Sequence, residues 1–394
     1  MPPVLGPGEL ESLQKAIRSE NLEGWLFCNF RHRDKLSDEI LHISPDSSNS
    51  RFWFYAVPVQ GEPLKIVHPV EPNALDALPG REISYISRDE LKKTLKSLAG
   101  SSWGVHFSEE LPAISYLDAG TAAVLKDTGL RLVSAAPLIQ RFKSLLSKEG
   151  IDSHERAAVH LYEIVTVAWN FVKKAHKERR TLLEGDIQSL ILDEIKRRGL
   201  LTEREPIVGA GINSGNPHYG FTGSGVKIRE GDIIQLDLWA KESQKGAIFA
   251  DISWAGVYAE TIPEEAKRRF AALISAREGA VSFIQSELAA GKPLQGAAVD
   301  RKTREILISS GFLEALKHRT GHGIDTEVHG SGVNMDSVEF PDTRLLLDGS
   351  CFSLEPGIYL SDYGMRTEIN VYIQDGKAHI SGSPHERQFA LLCC

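Results

Sequence analysis

Apolar and polar residues are distributed in two styles along the chain, and the change of style divides it. Up to about residue 140 the apolar residues come in short dense runs, "GWLFCNF" (24–30) and "RFWFYAVPV" (51–59), which predict strands. Between and after them, "RDELKKTLKSLAG" (88–100) and "YLDAGTAAVLKDTG" (116–129) have the spacing of helices that stop at glycine. This part reads as mixed α/β and holds no chemical constellation. Then "RFKSLLSKEGIDSHERAAVHLYEIVTVAWNFVKKAHKERR" (141–180) predicts a long amphipathic helix, with Asp152 or Ser153 as its expected cap. The boundary is expected near residues 145–151, which gives domains of 1–147 and 148–394.

The second part repeats itself. "LLEGDIQSLILDEIKRRGL" (182–200) runs like "PLQGAAVDRKTREILISSGF" (293–312), "GAGINSGNPH" (209–218) like "GHGIDTEVH" (321–329), and "EGDIIQLDLW" (230–239) like "DGSCFSLEPG" (348–357). The offsets are 111, 112 and 118 residues, too long for a solenoid. They predict a two-fold pseudosymmetric domain, each half two helices packed on an antiparallel sheet. Asp237 falls on Glu355, and each copy continues into a strand with one further acid, Asp251 in "FADISWAGVY" and Glu368 in "MRTEINVYI".

Composition removes several function classes. With 394 residues, 42% hydrophobic and 25% charged, the chain has the make-up of an ordinary globular protein with room for large cores. A net charge of −8 without a basic run speaks against a nucleic-acid partner. No apolar run approaches the roughly 18 residues that span a bilayer, so no membrane is expected. The start, "MPPVLGPGELESLQKAI", has neither a basic leader nor an apolar core, so no secretion signal is expected there. Cys28, Cys351, Cys393 and Cys394 form neither a metal-ligand spacing nor a disulfide framework, which suits the cytoplasm.

The acids carry the chemistry. Asp237, Asp251, Glu355 and Glu368 stand in apolar strand sequence, and symmetry should bring them together. Two unit charges about 4 Å apart at an effective dielectric near 20 repel by roughly 4 kcal/mol. Six such pairs amount to on the order of 20 kcal/mol, beyond the roughly 5–15 kcal/mol by which a domain is stable. The cluster must take up protons or cations, and two divalent ions would cancel the four charges. His322 has no counterpart in the first half, where Ala210 stands. It suits a pair of metals of which one also takes a nitrogen. Oxygen ligands with one imidazole favour Mn²⁺, Co²⁺, Fe²⁺ or Zn²⁺, with manganese foremost, over a thiolate zinc site. Such a pair would bridge a water and lower its pKa. His218 and His329 are matched by the repeat and should flank the metals, donating to a substrate carbonyl or its oxyanion. Glycines as dense as those of "TGHGIDTEVHGSG" (320–332) break helices. In the strand and turn expected there, a separation of seven residues puts His322 and His329 on opposite sides.

These residues resemble the creatinase/aminopeptidase P/prolidase family of pita-bread metallopeptidases. The resemblance runs from about 141 to 380 and rests on "NPHYG", "IIQLDLWA", "FADISW", "TGHGID…VH", "SLEPGIY" and "MRTEINV". It implies an α+β chain, a pseudo-two-fold pita-bread domain with a curved antiparallel sheet behind a smaller α/β amino-terminal domain. It implies metal ligands at Asp237, Asp251, His322, Glu355 and Glu368. The implied activity is removal of an N-terminal residue preceding proline from a short peptide, by hydroxide held between the metals. His218 and His329 fall on the family's substrate-binding histidines and Glu355 on its proton-shuttling ligand. Arg366 matches an arginine behind the ligands, and Tyr219 is expected beside it or the substrate. Relatives pair through their amino-terminal domains, so a homodimer whose partner helps close the site is implied. Three places depart from the pattern. The two aspartates are 14 residues apart, wider than usual, so "KESQKG" should lengthen their hairpin. Trp254 replaces an arginine and Gly330 a glutamate, and both are expected near the substrate pocket. A non-peptide hydrolase or a lyase on the same metal-binding scaffold is the alternative.

Overall fold

The computed structural model describes residues 7–383 and 385–393. Residues 1–6, part of the start discussed above, and Cys394 lie outside the described residues. The chain forms two compact units that divide between Lys143 and Ser144. Among the described residues no helix is long and apolar enough to cross a membrane.

In the first unit α1 (Pro7–Ser19), β1 (Gly24–Asn29), α2 (Lys35–Ile40), β2 (Trp53–Pro58), β3 (Leu64–Val67) and β4 (Arg81–Ser84) come first. They are followed by α3 (Arg88–Lys96), β5 (Ser102–Val105), α4 (Ala119–Asp127), β6 (Arg131–Ser134) and α5 (Ala136–Ile139). The sheet order is β4-β3-β2-β1-β5-β6, antiparallel where β2 meets β1 and β3 and parallel elsewhere. Alternate residues serve two cores. Trp25, Phe27, Trp53 and Tyr55 pack with Leu13 and Ile17 on one face, and Leu26, Phe54 and Ile66 with Leu95 and Leu125 on the other. Burial on both faces is why these strands read as unbroken apolar runs. Ser87 and Glu90 form a capping box at the start of α3, and Asp118 caps α4.

The second unit opens on α6 (Lys148–Lys177). Its cap is Ser147, whose side chain accepts from the Gly150 N–H, not Asp152 or Ser153. Ser153 lies inside the helix and takes the Ile248 N–H at 3.0 Å instead. An acceptor can satisfy the orphan donors of a helix only from just outside its first turn, and Ser147 stands there. One half continues with α7 (Glu184–Arg197), β7 (Leu200–Leu201), β8 (Ile207–Ala210), β9 (Ile233–Glu242) and β10 (Ala250–Val257). The other has α8 (Glu264–Ala289), α9 (Gly296–Ser309), β11 (Cys351–Leu354), β12 (Gly357–Tyr359), β13 (Gly364–Arg366), β14 (Ile369–Gln374) and β15 (Lys377–Ile380). A last strand, β16 (Ala390–Leu391), returns to β10. The repeat is visible in detail. Leu183, just before α7, bridges Lys227, and Gln295, just before α9, bridges Leu345. Leu161, Val165 and Ile187 pack on Leu236, Leu238 and Ile252 in one half. Ala280, Ile284 and Val299 pack on Phe352, Leu354 and Val371 in the other. Strand alternation turns the residues between these apolar ones to the face away from the helices.

Candidate metal centre

The register decides which acids share that face. β9 and β10 are antiparallel, with Asp237 opposite Ser253 and Trp239 opposite Asp251, so both aspartates point the same way. The residues between the strands, 243–249, form the connection where extra length was expected. Glu368, just before β14, donates its N–H to Ser253 O at 3.0 Å. Asn370 continues that seam with its side chain, accepting from Asp251 N at 2.8 Å and donating to Asp251 O at 2.6 Å. Glu355, just after β11, donates its N–H to Thr320 O at 2.7 Å, and Ser353 binds both backbone groups of His322. Each candidate ligand is thus held by a rigid strand or its neighbour.

The side chains meet in one place. Ligating atoms of Asp251, His322 and Glu368 all lie within 4.8 Å of one another, and all three residues are buried. His322 Nε2 is 3.4 Å from Asp251 Oδ2 and 3.5 Å from Glu355 Oε1. Ser253 Oγ stands 2.9 Å from both Asp237 Oδ1 and Glu368 Oε2, and a hydroxyl has one proton, so it donates to one carboxylate at a time. Arg366 Nε donates to that Oγ at 2.9 Å, and Arg366 Nη2 donates to Asp237 Oδ2.

One guanidinium cannot balance four ionised carboxylates. Burial, with Asp237 and Glu355 beside it, holds the Asp251 carboxyl well above the usual range, and burial with Asp251 and Glu355 does the same to Glu368. Burial lowers His322, which keeps its imidazole neutral with a free lone pair. Asp251 Oδ1 and Glu368 Oε1 are buried without a hydrogen-bond partner among the described residues. Buried polar atoms in native proteins almost always have one. Unpartnered carboxyl oxygens beside a neutral imidazole are the donor set of a divalent cation with a preference for oxygen. The residues fit a metal.

The expected flanking groups are placed differently from one another. His329 does not face away from His322: the rings meet edge to face with centroids 4.4 Å apart. Parity fails because the chain folds back on itself at Asp325, whose carboxylate accepts from Glu327 N and Ser331 N at 2.9 Å each. His218 is exposed, and its imidazole has no hydrogen-bond partner among the described residues. The carbonyl before it, Pro217 O, accepts from Arg366 Nη1 at 3.4 Å. Tyr219 turns its hydroxyl to Glu184 at 3.0 Å. Trp254 does not lie by the acids: it takes the face of β10 opposite Ser253 and packs with the α6 core, 6.0 Å from the Tyr162 ring. Ser253 and Asn370, each two residues beyond an acid and so on its face, join the site from outside the candidates the motifs supply. So does His318, whose Nε2 is 2.9 Å from Tyr359 Oη, itself 3.2 Å from Arg366 Nη1.

Residues 154–375 match the model of metallopeptidase family M24. The chain belongs to that family. The probable dipeptidase PepE of Mycobacterium tuberculosis is 24% identical to this M24 metallopeptidase over 344 residues, 85% of either chain. The Xaa-Pro dipeptidase of Lactobacillus helveticus is 27% identical over 246 residues, 60% of each. The crystal structure of dipeptidase PepE from Mycobacterium ulcerans superposes with a TM-score of 0.72 at 21% identity, over 97% of this chain and 96% of that one. The M24 enzyme has the expected α+β architecture, a pita-bread domain with a smaller amino-terminal α/β unit, and its family implies divalent metals.

Proposed function

We propose that this M24 metallopeptidase uses two divalent metals to remove an N-terminal residue preceding proline from short peptides. Manganese is the first choice of metal, with cobalt, zinc or iron as alternatives. The observation that carries this reading is the pair of buried, unpartnered oxygens Asp251 Oδ1 and Glu368 Oε1, one from each half of the repeat, beside the His322 imidazole. Asp237, Asp251, His322, Glu355 and Glu368 would hold the metals. Bound divalent metals supply a Lewis acid for a carbonyl oxygen and make a nucleophile of water at neutral pH.

The chain's own groups supply the rest. The neighbouring His322 and partial burial push the His329 imidazole down to about 4. At neutral pH His329 is therefore an uncharged N–H donor, suited to the scissile carbonyl oxygen and to the oxyanion that develops there. His218, from the other half, is assigned to the same oxygen's surroundings. Glu355 takes a proton from water and hands it to the departing amine nitrogen. Arg366 holds Asp237 in orientation. The specificity reading is supported by the relative named Xaa-Pro dipeptidase.

The test is amino-acid release from Ala-Pro, Gly-Pro, longer Xaa-Pro peptides and Ala-Leu, with each metal in turn. Metal-dependent release from the prolyl substrates alone is the expected result. Equal release from Ala-Leu would make the enzyme a general dipeptidase, and none at all would leave the non-peptide hydrolase or lyase. We further propose a homodimer in which the amino-terminal part, 1–147, helps to close the site. A fully active monomer in light scattering at micromolar concentration would overturn it. The free cysteines Cys28 and Cys351 suit a reducing cytoplasm.

A further inference from the structure

Both histidine-bearing loops of the catalytic unit are tied to a helix by one buried carboxylate. Glu184, the first residue of α7, is 0% exposed. Its Oε1 accepts from Ala210 N at 2.9 Å and Asn213 Nδ2 at 3.0 Å, and its Oε2 from Tyr219 Oη at 3.0 Å and Val226 N at 2.9 Å. One side chain therefore pins the loop of His218 at both ends and beside the histidine. Asn213 Nδ2 also donates to Tyr219 Oη at 2.8 Å, which closes a ring of bonds around that stretch. The fit is tight. Gly225 has φ +67°, and a Cβ there would stand 2.7 Å from Glu184 Oε2.

The other half repeats the device from a position one turn further along its helix. Asp300 of α9, also 0% exposed, accepts from Thr320 N at 3.0 Å and Thr320 Oγ1 at 2.6 Å with one oxygen. The other oxygen accepts from the backbone N–H and the hydroxyl of Ser337. Those anchors bracket the stretch that carries His322 and His329. Two carboxylates that are not themselves candidate ligands thus hold both loops, from different turns of corresponding helices, with charge-assisted bonds that are stronger than neutral ones. Glu184, in the first turn of its helix, is further favoured by the helix dipole.

We infer that Glu184 is a positioning residue that sets His218 for catalysis, and that Asp300 sets the loop of His322 and His329. The inference rests on the proposed role of His218. Only the second loop carries a metal ligand, so the two carboxylates should differ in one respect. Loss of Glu184 should spare the metals, whereas loss of Asp300 should weaken them.

The experiment is a double-mutant cycle between Glu184→Gln and His218→Ala in the metal-loaded full-length enzyme, with metal content measured on every variant. A glutamine keeps the shape but presents an N–H₂ to groups that are themselves donors. A misplaced reacting group typically costs on the order of 10²-fold. Glu184→Gln is expected to lower kcat by roughly that factor with KM little changed and metal content intact, and to cost nothing further in a His218→Ala background. Effects that multiply, or metal lost from Glu184→Gln, would overturn the inference while leaving the function of His218 standing. Wild-type turnover in His218→Ala would overturn both. If Glu184→Gln does not fold, Tyr219→Phe removes one of the four bonds without burying a mismatched amide. It should show a smaller fall in kcat, again masked by His218→Ala, and an unmasked fall would count against coupling. Asp300→Asn should lose metal and turnover together, and full metal content in that variant would sink the second half of the inference.

Discussion

His322 and His329 stand edge to face, with ring centroids 4.4 Å apart and planes at 83°. The contact joins a residue placed among the acids to one placed at the rim, and it has an electrical consequence. Two charged imidazoles at that distance would repel, and the neighbour together with burial holds His329 down to about 4. His329 is thereby kept as a donor without a charge that would oppose a cation next to it.

His329→Ala should accordingly keep its metals and lose chemistry. Removal of one oxyanion donor typically lowers kcat by about 10²–10³-fold. Metal analysis beside steady-state kinetics checks this, with the loss expected in kcat more than in KM. A variant that releases metal would make His329 a ligand instead.

The unpartnered oxygens predict a reversal of rank between two states. Glu368→Gln and Asp251→Asn should abolish metal binding and turnover, and neither should gain stability from added metal. Yet each removes a group that is forced to titrate against its neighbours, where a pair about 4 Å apart costs roughly 4 kcal/mol at an effective dielectric near 20. Thermal denaturation in chelator should find both variants at least as stable as chelated wild type. Metal-loaded wild type should stand well above all of them, because binding to the folded state alone stabilises it. Chelated variants that melt far below chelated wild type would show that these carboxyls serve packing.

Part of this site was legible and part was not, for physical reasons. An acid in an apolar strand stands out because a strand has two faces and a period of 2, so Asp237 and Asp251 could be picked out by counting along their own strands, and the repeat was what brought them together. The same counting applied to His322 and His329 failed, because it holds only while the backbone is extended, and Asp325 turns the chain between them. Ser253 and Asn370 act across the seam between β10 and β14, a pairing that no local pattern announces. The cap of α6 was missed for a smaller reason. "SKEGIDS" offers three residues of capping type, Ser147, Asp152 and Ser153, and only the packing of the helix decides which of them stands outside its first turn. Trp254 was referred to the substrate pocket from its place in a motif, whereas parity already sent it to the other face from Asp251 and Ser253.

The turn at Asp325 accounts for Gly330. A Cβ at that position would stand 2.6 Å from Asp325 Cγ and 2.9 Å from its backbone nitrogen. Gly330→Ala should destabilise the protein by about 1–3 kcal/mol, the usual cost of overpacking. It should also lower kcat, because His329 is the adjacent residue. Urea unfolding and kinetics on the one variant check both, and unchanged values would mean that Asp325 yields without cost.

The last prediction concerns pH and a carboxyl outside the ligand set. Glu386 is buried, and burial, only partly relieved by the Ala255 N–H at 2.9 Å, by Thr367 and by Arg277, pushes its carboxyl up to about 8 from an ordinary 4.5. Its Oε2 has no hydrogen-bond partner among the described residues. Arg277 donates to Thr367 Oγ1 and to the backbone oxygen of Glu386 at 2.6 Å each, which ties this group to the residue before Glu368. Between the two pKa values the folded protein retains a proton that the unfolded chain has released. The stability this group contributes is therefore complete below about 4.5, falls through the window, and is gone above about 8. Each unit of such a shift corresponds to about 1.4 kcal/mol, so the full effect is on the order of a few kcal/mol. Glu386→Gln replaces the protonated carboxyl by a neutral amide and should not share this decline. Urea unfolding of both proteins with saturating metal, from about pH 6 to pH 9, should show wild type losing stability relative to the variant up to about pH 8 and no further divergence beyond it. Parallel curves across that range would mean that Glu386 titrates as an ordinary carboxyl.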